Sequence, residues 1–274
     1  MSQPKQSATP LISVITVVLN GEATIGKTIE SVINQSYSHW EYIIIDGASS
    51  DRTLEIIASY QDKRITHCIS EADSGIYEAM NKGIALAKGD FIGILNSGDR
   101  YIVDTLATVN QTAQDTTAAI ITGAMVRFDV KESIYFKLNK TFVDLQKNIH
   151  WGMPINHPAT FVRSDVYRQL GGFNSEYRIC ADYDLIYRAY FQKVEFAFTS
   201  EVLAYMSLGG VSEQFSSLTT RCREHFLIER AYTPLIVNLS RRVCWLLVNL
   251  TKHLLKSRLS SRLMMQYYQL RHGI

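Results

Sequence analysis

The sequence predicts an α/β fold in which a largely parallel sheet is flanked by helices, with a helical, basic tail behind it. Three observations carry this reading. Four apolar runs of strand length alternate with helical periodicities through the first hundred residues, a pattern that closes into a parallel sheet covered on both faces. Polar residues end those runs. After Glu229 the chain has no Asp or Glu and eight Lys and Arg.

The elements follow in order. Leu11–Val18 (LISVITVV) is a β-branched run of strand length ending at Asn20-Gly21. Thr24 is placed to cap a helix through Gln35, because Ile25, Ile29, Val32 and Ile33 fall on one face. Tyr42–Ile45 is a second strand ending on Asp46. A Gly-Ala-Ser-Ser turn and a helix over about 51–60 follow, then a strand over Ile65–Ile69. Ile76–Leu86 is a helix stopped by Lys88-Gly89. Phe91–Leu95 is a fourth strand, running into Asn96-Ser97-Gly98-Asp99. In sheets of this kind ligands sit beyond the carboxyl ends of the strands, and Asn20, Asp46 and Asp99 all stand at such exits.

From Thr105 the pattern changes. A helix leads to Ile120–Thr122, with short strands around Val126–Phe128 and Ile134–Phe136. His157–Val162 reads as a strand, Ser164–Leu170 as a helix stopped by Gly171-Gly172, and Asp182–Tyr190 as a further helix. Everything after Ser212 reads as helical. This divides the chain into a lead-in (1–10), a domain over 11–212 with halves at 11–104 and 105–212, and a helical region over 213–274.

Composition sets the bounds. With 274 residues, 46% hydrophobic and 20% charged, the chain is long enough for one large α/β domain with additions. The polar first ten residues contain no apolar stretch of the kind a secretory signal needs. Cys68, Cys180, Cys222 and Cys244 show no CxxC pairing and suit a reducing cytosol. The net charge of +2 hides an asymmetry: the eight tail cations leave 20 Lys and Arg against 26 Asp and Glu in residues 1–229. A basic tail on an acidic body seeks anionic surfaces.

The segments ITVVLN, YIIIDGASSDRT, SEADSGIYEAMNKGIALAKGD, FIGILNSGD and ICADYDLIYRA stand in this order. Together they resemble the inverting family 2 glycosyltransferases of GT-A fold, a nucleotide-binding, Rossmann-like mixed sheet flanked by helices. The likeness runs from about Leu11 to Ser212 and is greatest to the branch serving bacterial colanic acid, capsule or lipopolysaccharide assembly. It implies that Val17, Asn20, Asp46, Asp73, Asn81, Lys82, Ser97 and Gly98 hold a nucleotide-sugar donor, UDP being the commonest. Within that set Asp46 meets the base and Lys82 a phosphate.

By the same resemblance Asp99 binds a divalent cation, Mg²⁺ or Mn²⁺, whose hard-acid character suits oxygen ligands. The wider family carries paired acids there, whereas Asn96 and Gly98 bring no carboxylate. Asp182 matches the general base, leaving Asp184 to complement the helix dipole. His157 falls on the acceptor side, and Gly209-Gly210-Val211-Ser212 matches a segment that folds over the diphosphate.

In the tail, Leu235, Leu239, Val243, Leu246, Leu250 and Leu254 recur at helical spacing. Arg241, Arg242, Lys252 and Lys256 interrupt any run long enough to span a bilayer. An amphipathic helix with Trp245 among its apolar groups fits the interface of an anionic membrane, where a glycan or lipid-linked glycan acceptor would be met. That places the chain in the cytoplasm, peripheral on the inner face of the cell membrane. Packing on the body or in a homodimer stays open. No nucleic-acid module is recognisable, and the apolar stripe favours lipid. Two other functions remain: a sugar-1-phosphate nucleotidyltransferase, against which stands the lack of a Gly-rich loop after the first strand, and a catalytically silent membrane scaffold.

Overall fold

The computed structural model describes residues 9–129, 134–138, 145–210 and 214–258. Its first half is a run of parallel strands and helices: β1 (Ile12–Val18), α1 (Ile25–Ile33), β2 (Trp40–Asp46), α2 (Thr53–Ala58), β3 (Ile65–Ser70), α3 (Ile76–Leu86) and β4 (Phe91–Ile94). A two-residue strand, β5 (Arg100–Tyr101), precedes α4 (Thr105–Asp115). Then come β6 (Ile120–Asp129), β7 (Ile134–Leu138), α5 (Leu145–Asn148), β8 (Thr160–Arg163), α6 (Ser164–Leu170), α7 (Ala181–Phe191) and β9 (Phe196–Ser207). Two helices close the described chain, α8 (Leu218–Glu229) and α9 (Leu235–Arg258).

All nine strands join one sheet in the order β3-β2-β1-β4-β8-β6-β9-β5, with β7 paired to β6. β1 pairs β2 and β4 in parallel, and β2 pairs β3 likewise. β8 runs antiparallel to both β4 and β6. Every residue of β1 and β2 is buried, as expected of central parallel strands with both faces covered. α1 turns Ile25, Thr28, Ile29 and Val32 inward, the stripe its periodicity required. α3 lies so near β1 that a Cβ on Gly83 would stand 2.5 Å from the Ile15 side chain. Larger residues are excluded there, and the C-terminal half of α3 is held against the sheet.

Several expectations need correction. Thr24 sits at the N-cap position of α1 but makes no capping bond; its hydroxyl goes to Ser97 Oγ instead, at 2.9 Å. α1 ends at Ile33 and α2 covers only Thr53–Ala58. His157–Ala159 is a 3₁₀ turn, because Pro158 cannot donate to a ladder, and β8 begins only at Thr160. The short strands expected around residues 120–128 form one strand, β6. Its long partner β9 and the brief β5 carry no alternation clear enough to betray them.

Candidate active site

The carboxyl edge of β1, β2 and β4 gathers the polar residues that the sequence singled out. Asn20 follows β1 with φ 50°, a left-handed conformation that Asn tolerates better than most residues. Its Oδ1 accepts the Ser50 N–H at 2.9 Å, tying the ends of β1 and β2 together. Asp46 closes β2, fully buried. Its carboxylate accepts the Ser49 hydroxyl, the Ser49 N–H at 2.9 Å and the Ser70 hydroxyl at 2.6 Å. Asp73, on the loop between β3 and α3, brings Oδ2 within 3.1 Å of where a Gly47 Cβ would stand. Asp46 and Asp73 thus line neighbouring positions.

The turn after β4 is knit into α1. Ser97 Oγ meets Thr24, the Gly98 N–H donates to Thr28 Oγ1 at 3.0 Å, and the Thr28 hydroxyl donates to the Asp99 carbonyl at 2.9 Å. Gly98 has φ 103°, a conformation that favours glycine. Asp99 is buried, and its Oδ1 accepts the Ser207 N–H at 3.0 Å and the Ser207 hydroxyl at 3.4 Å. Ser207 ends β9, so the last strand of the sheet fixes the orientation of Asp99.

Asp182 reaches this edge from the other half of the chain. Half-buried in the first turn of α7, it meets Tyr77 from the first turn of α3, whose hydroxyl lies 3.3 Å from Asp182 Oδ1. The Tyr183 N–H donates to the same oxygen at 2.8 Å. Oδ2 has no hydrogen-bond partner among the described residues. His157 stands near enough to feel the Asp182 charge: burial pulls its pKa below the ordinary value while Asp182 pulls it back up. Its ring packs edge-on against Phe173, 5.9 Å away, and Phe173 in turn packs on Tyr77 at 5.6 Å. Asp184 is different. Arg188 pairs with it at 2.8 Å and also donates to the carbonyls of Leu170 and Gly172. Burial, outweighing Arg188, still raises the Asp184 carboxyl above its usual range.

Three expected donor contacts are turned elsewhere. Val17 packs its side chain into the core beside Ile45, leaving only its backbone near the site, where its carbonyl accepts the Ser97 N–H. Asn81 does not open onto the cleft: its amide clamps the Phe173 backbone in both directions, at 2.8 and 2.9 Å. Lys82 pairs with Glu71 at 3.0 Å and Glu78 at 3.5 Å and donates to the Ala72 carbonyl, steadying the loop that carries Asp73. Of the glycine segment, Gly209 and Gly210 are exposed; Val211 and Ser212 lie outside the described residues. Tyr77 and Ser207 went unremarked in the sequence. Tyr77 lies inside the EADSGIYEAMNKG motif, which could have flagged it, whereas Ser207 depends on a strand that was not foreseen.

Among the described residues no three His, Cys, Asp or Glu side chains come close enough together to hold a metal ion. The chain offers instead the Asp99 carboxylate and, three residues before it, Asn96 Oδ1, a buried carbonyl oxygen without a hydrogen-bond partner among the described residues. Two hard oxygens fit a cation that takes its remaining ligands from a diphosphate and water.

Acids and amides gathered at this edge of a mixed sheet define a class of enzyme, the glycosyltransferases of GT-A fold. The sequence profile described as "Glycosyl transferase family 2" matches residues 13–171, more than half of the chain, and the protein belongs to that family. A "PGL/p-HBAD biosynthesis glycosyltransferase" of Mycobacterium bovis is 30% identical over 189 residues, 67% of this chain and 71% of that one. A Bacillus subtilis protein, provisionally named the teichuronic acid biosynthesis glycosyltransferase TuaG, is 40% identical over 99 residues, 35% of this chain and 39% of its own. S. aureus TarS 1-349, solved in complex with UDP-GlcNAc, has the same fold with a TM-score of 0.64 at 16% identity, covering 86% of this chain and 71% of that one. The mannosyltransferase PcManGT from Pyrobaculum calidifontis, in complex with GDP-Man and Mn²⁺, gives 0.64 at 16% identity over 96% and 80%.

Proposed function

We propose that the protein transfers a sugar with inversion from a nucleoside-diphosphate sugar, UDP being the favoured nucleotide, to a hydroxyl of a glycan or lipid-linked glycan. The setting is bacterial cell-surface polysaccharide assembly, lipopolysaccharide included, at the inner face of the cell membrane. The relatives named above for PGL/p-HBAD and teichuronic acid biosynthesis support that setting.

The observation that carries the mechanism is the asymmetry of the Asp182 carboxylate. Oδ1 is anchored by the Tyr183 N–H, with the Tyr77 hydroxyl 3.3 Å away, while Oδ2 has no partner among the described residues and is left to accept a proton. Asp182 Oδ2 takes the proton from the acceptor hydroxyl as that oxygen attacks the anomeric carbon. The bond to the diphosphate breaks on the opposite face, and its electron pair leaves with the nucleoside diphosphate. His157 borders the acceptor beside Asp182. Asn20 and Asp73 border the base and ribose, over the buried Asp46 carboxylate that holds Ser49 and Ser70, with Ser97 and Gly98 at the diphosphate. Asp99 and Asn96 would hold a divalent cation, which supplies charge neutralisation for the departing diphosphate.

Thermal shift against UDP-glucose, UDP-galactose, UDP-GlcNAc and GDP-mannose, with and without Mn²⁺, identifies the donor, since a ligand of the native state raises the melting temperature. Asp182→Asn should then lose at least ~100-fold in turnover with nucleotide affinity kept. Full turnover in that variant would refute the mechanism.

A further inference from the structure

We propose that Glu224, on α8, is a positioning residue for the transfer: it sets the place of Asp182 by capturing the backbone just ahead of it. The proposal rests on Asp182 being the base.

Glu224 is 5% exposed. Its Oε1 accepts the Arg178 N–H at 2.8 Å, and its Oε2 accepts the N–H groups of Ile179 at 3.1 Å and Cys180 at 2.9 Å. Cys180 is the residue before α7, and it gives that helix no side-chain cap. A carboxylate from 44 to 46 positions further along the chain therefore binds the amides leading into the helix. Negative charge is favoured at that end, and bonds from amides to a carboxylate are stronger than neutral ones.

The same loop is held from the opposite side. The Tyr77 hydroxyl donates to the Ile179 carbonyl at 2.6 Å, so one residue is gripped at its N–H by α8 and at its C=O by α3. Asp182 stands three residues beyond that clamp. α8 also borders the next residue: the Tyr183 hydroxyl, 2.6 Å from the Ile149 carbonyl, lies 2.8 Å from Glu229 Oε1, and its ring stacks on His225 at 4.6 Å. α8 lies wholly after residue 171, where the family match ends. Asp182 lies beyond that match as well, so the base and the helix that places it both fall outside the family profile.

A carboxylate that merely stabilised the fold would behave differently from one that aims the base, and full-length variants separate the two. Glu224→Gln replaces one acceptor oxygen with a donor facing amides; Glu224→Asp keeps the charge on a shorter arm. The assay is nucleoside diphosphate release from whichever of UDP-glucose, UDP-galactose, UDP-GlcNAc or GDP-mannose raises the melting temperature most, with UDP or GDP affinity measured beside it. Glu224→Gln should lower kcat roughly 10- to 100-fold, the scale of a misplaced catalytic group, while nucleotide Kd moves less than about twofold and Glu224→Asp recovers part of the loss. Wild-type kcat in Glu224→Gln would overturn the proposal. So would an equal fall in kcat and nucleotide affinity, which would mark Glu224 as a folding residue only. Asp182→Asn runs in parallel: if it turns over normally the base assignment fails, whereas its loss beside a fully active Glu224→Gln removes only the positioning role.

Discussion

Asp182 and Asp184 stand two residues apart in the first turn of α7, and only Asp184 faces a cation. Its pair with Arg188 leaves the two side chains 10% and 18% exposed, and Arg188 holds the carbonyls of Leu170 and Gly172 besides. Asp184→Asn should therefore lower stability by about 2–4 kcal/mol, because it strands a largely buried guanidinium. The protein that stays folded should keep its kcat, a combination read by urea unfolding and turnover on the same sample. Asp182→Asn should show the reverse pattern. The sequence already separated these two acids, since residues two apart point to different sides of a helix. It could not show what surrounds each one. Asn81 illustrates the limit: a polar residue in a motif reads as a ligand contact, but its amide is satisfied by the backbone of Phe173, 92 residues away.

At the scale of elements, the parallel half was legible because each strand is a buried β-branched run and each helix has a clean apolar stripe. β9 was not legible, because its register along β6 shifts twice near Gly123 and its burial is mixed. The contacts of α8 with α7 and of α9 with α8 also lay beyond the sequence, and they have a consequence for pH. His225 is buried on α8, and Arg242 donates to its Nδ1 at 2.8 Å, which requires that nitrogen to be unprotonated. Burial first, then Arg242 and Arg221, push its pKa down to about 3. The unfolded chain takes up a proton near pH 6.5, and the native state does not. The stability contributed by neutral His225 is thus complete above pH 6.5 and is lost as pH falls from there towards 3. The slope approaches about 1.4 kcal/mol per pH unit for this one proton. His150 and His157 are shifted in the same direction. His225→Gln should accordingly reduce, without abolishing, the fall in unfolding free energy between pH 6.5 and 5. An unchanged slope in denaturant titrations would show that His225 titrates normally in the native state.

Over the whole molecule, the charge asymmetry was plain in the sequence, but its division between inside and outside was not. Arg242 and Trp245 turn inward from α9: Arg242 pairs with buried Glu229 at 3.0 Å, and Trp245 packs on His225. Neither belongs to a membrane face, because Asn238, Arg242 and Trp245 form the stripe by which α9 seats on the body. Ile236, Leu239, Val243 and Leu247 lie on the opposite side of the helix, and each is more than half exposed. No helix among the described residues is long and apolar enough to cross a membrane, so this row suits a helix lying in the interface rather than through it. Lys252, Lys256, Arg258, Arg262 and Arg271 follow it in a stretch without acids. Apolar side chains contribute roughly 1.5–3 kcal/mol each when fully buried, and basic residues near an anionic leaflet about 1 kcal/mol each. The two together would hold the protein on an anionic surface. The double variant Leu239→Asp/Val243→Asp leaves the body-facing stripe intact, so its melting temperature should stay close to that of the wild type. Its co-sedimentation with phosphatidylglycerol vesicles should fall at least ~10-fold, and wild-type binding should weaken as salt is raised. If sedimentation velocity instead finds a wild-type dimer that the double variant breaks, with vesicle binding negligible in both, this face joins two copies of the chain and the acceptor must be reached without a membrane berth.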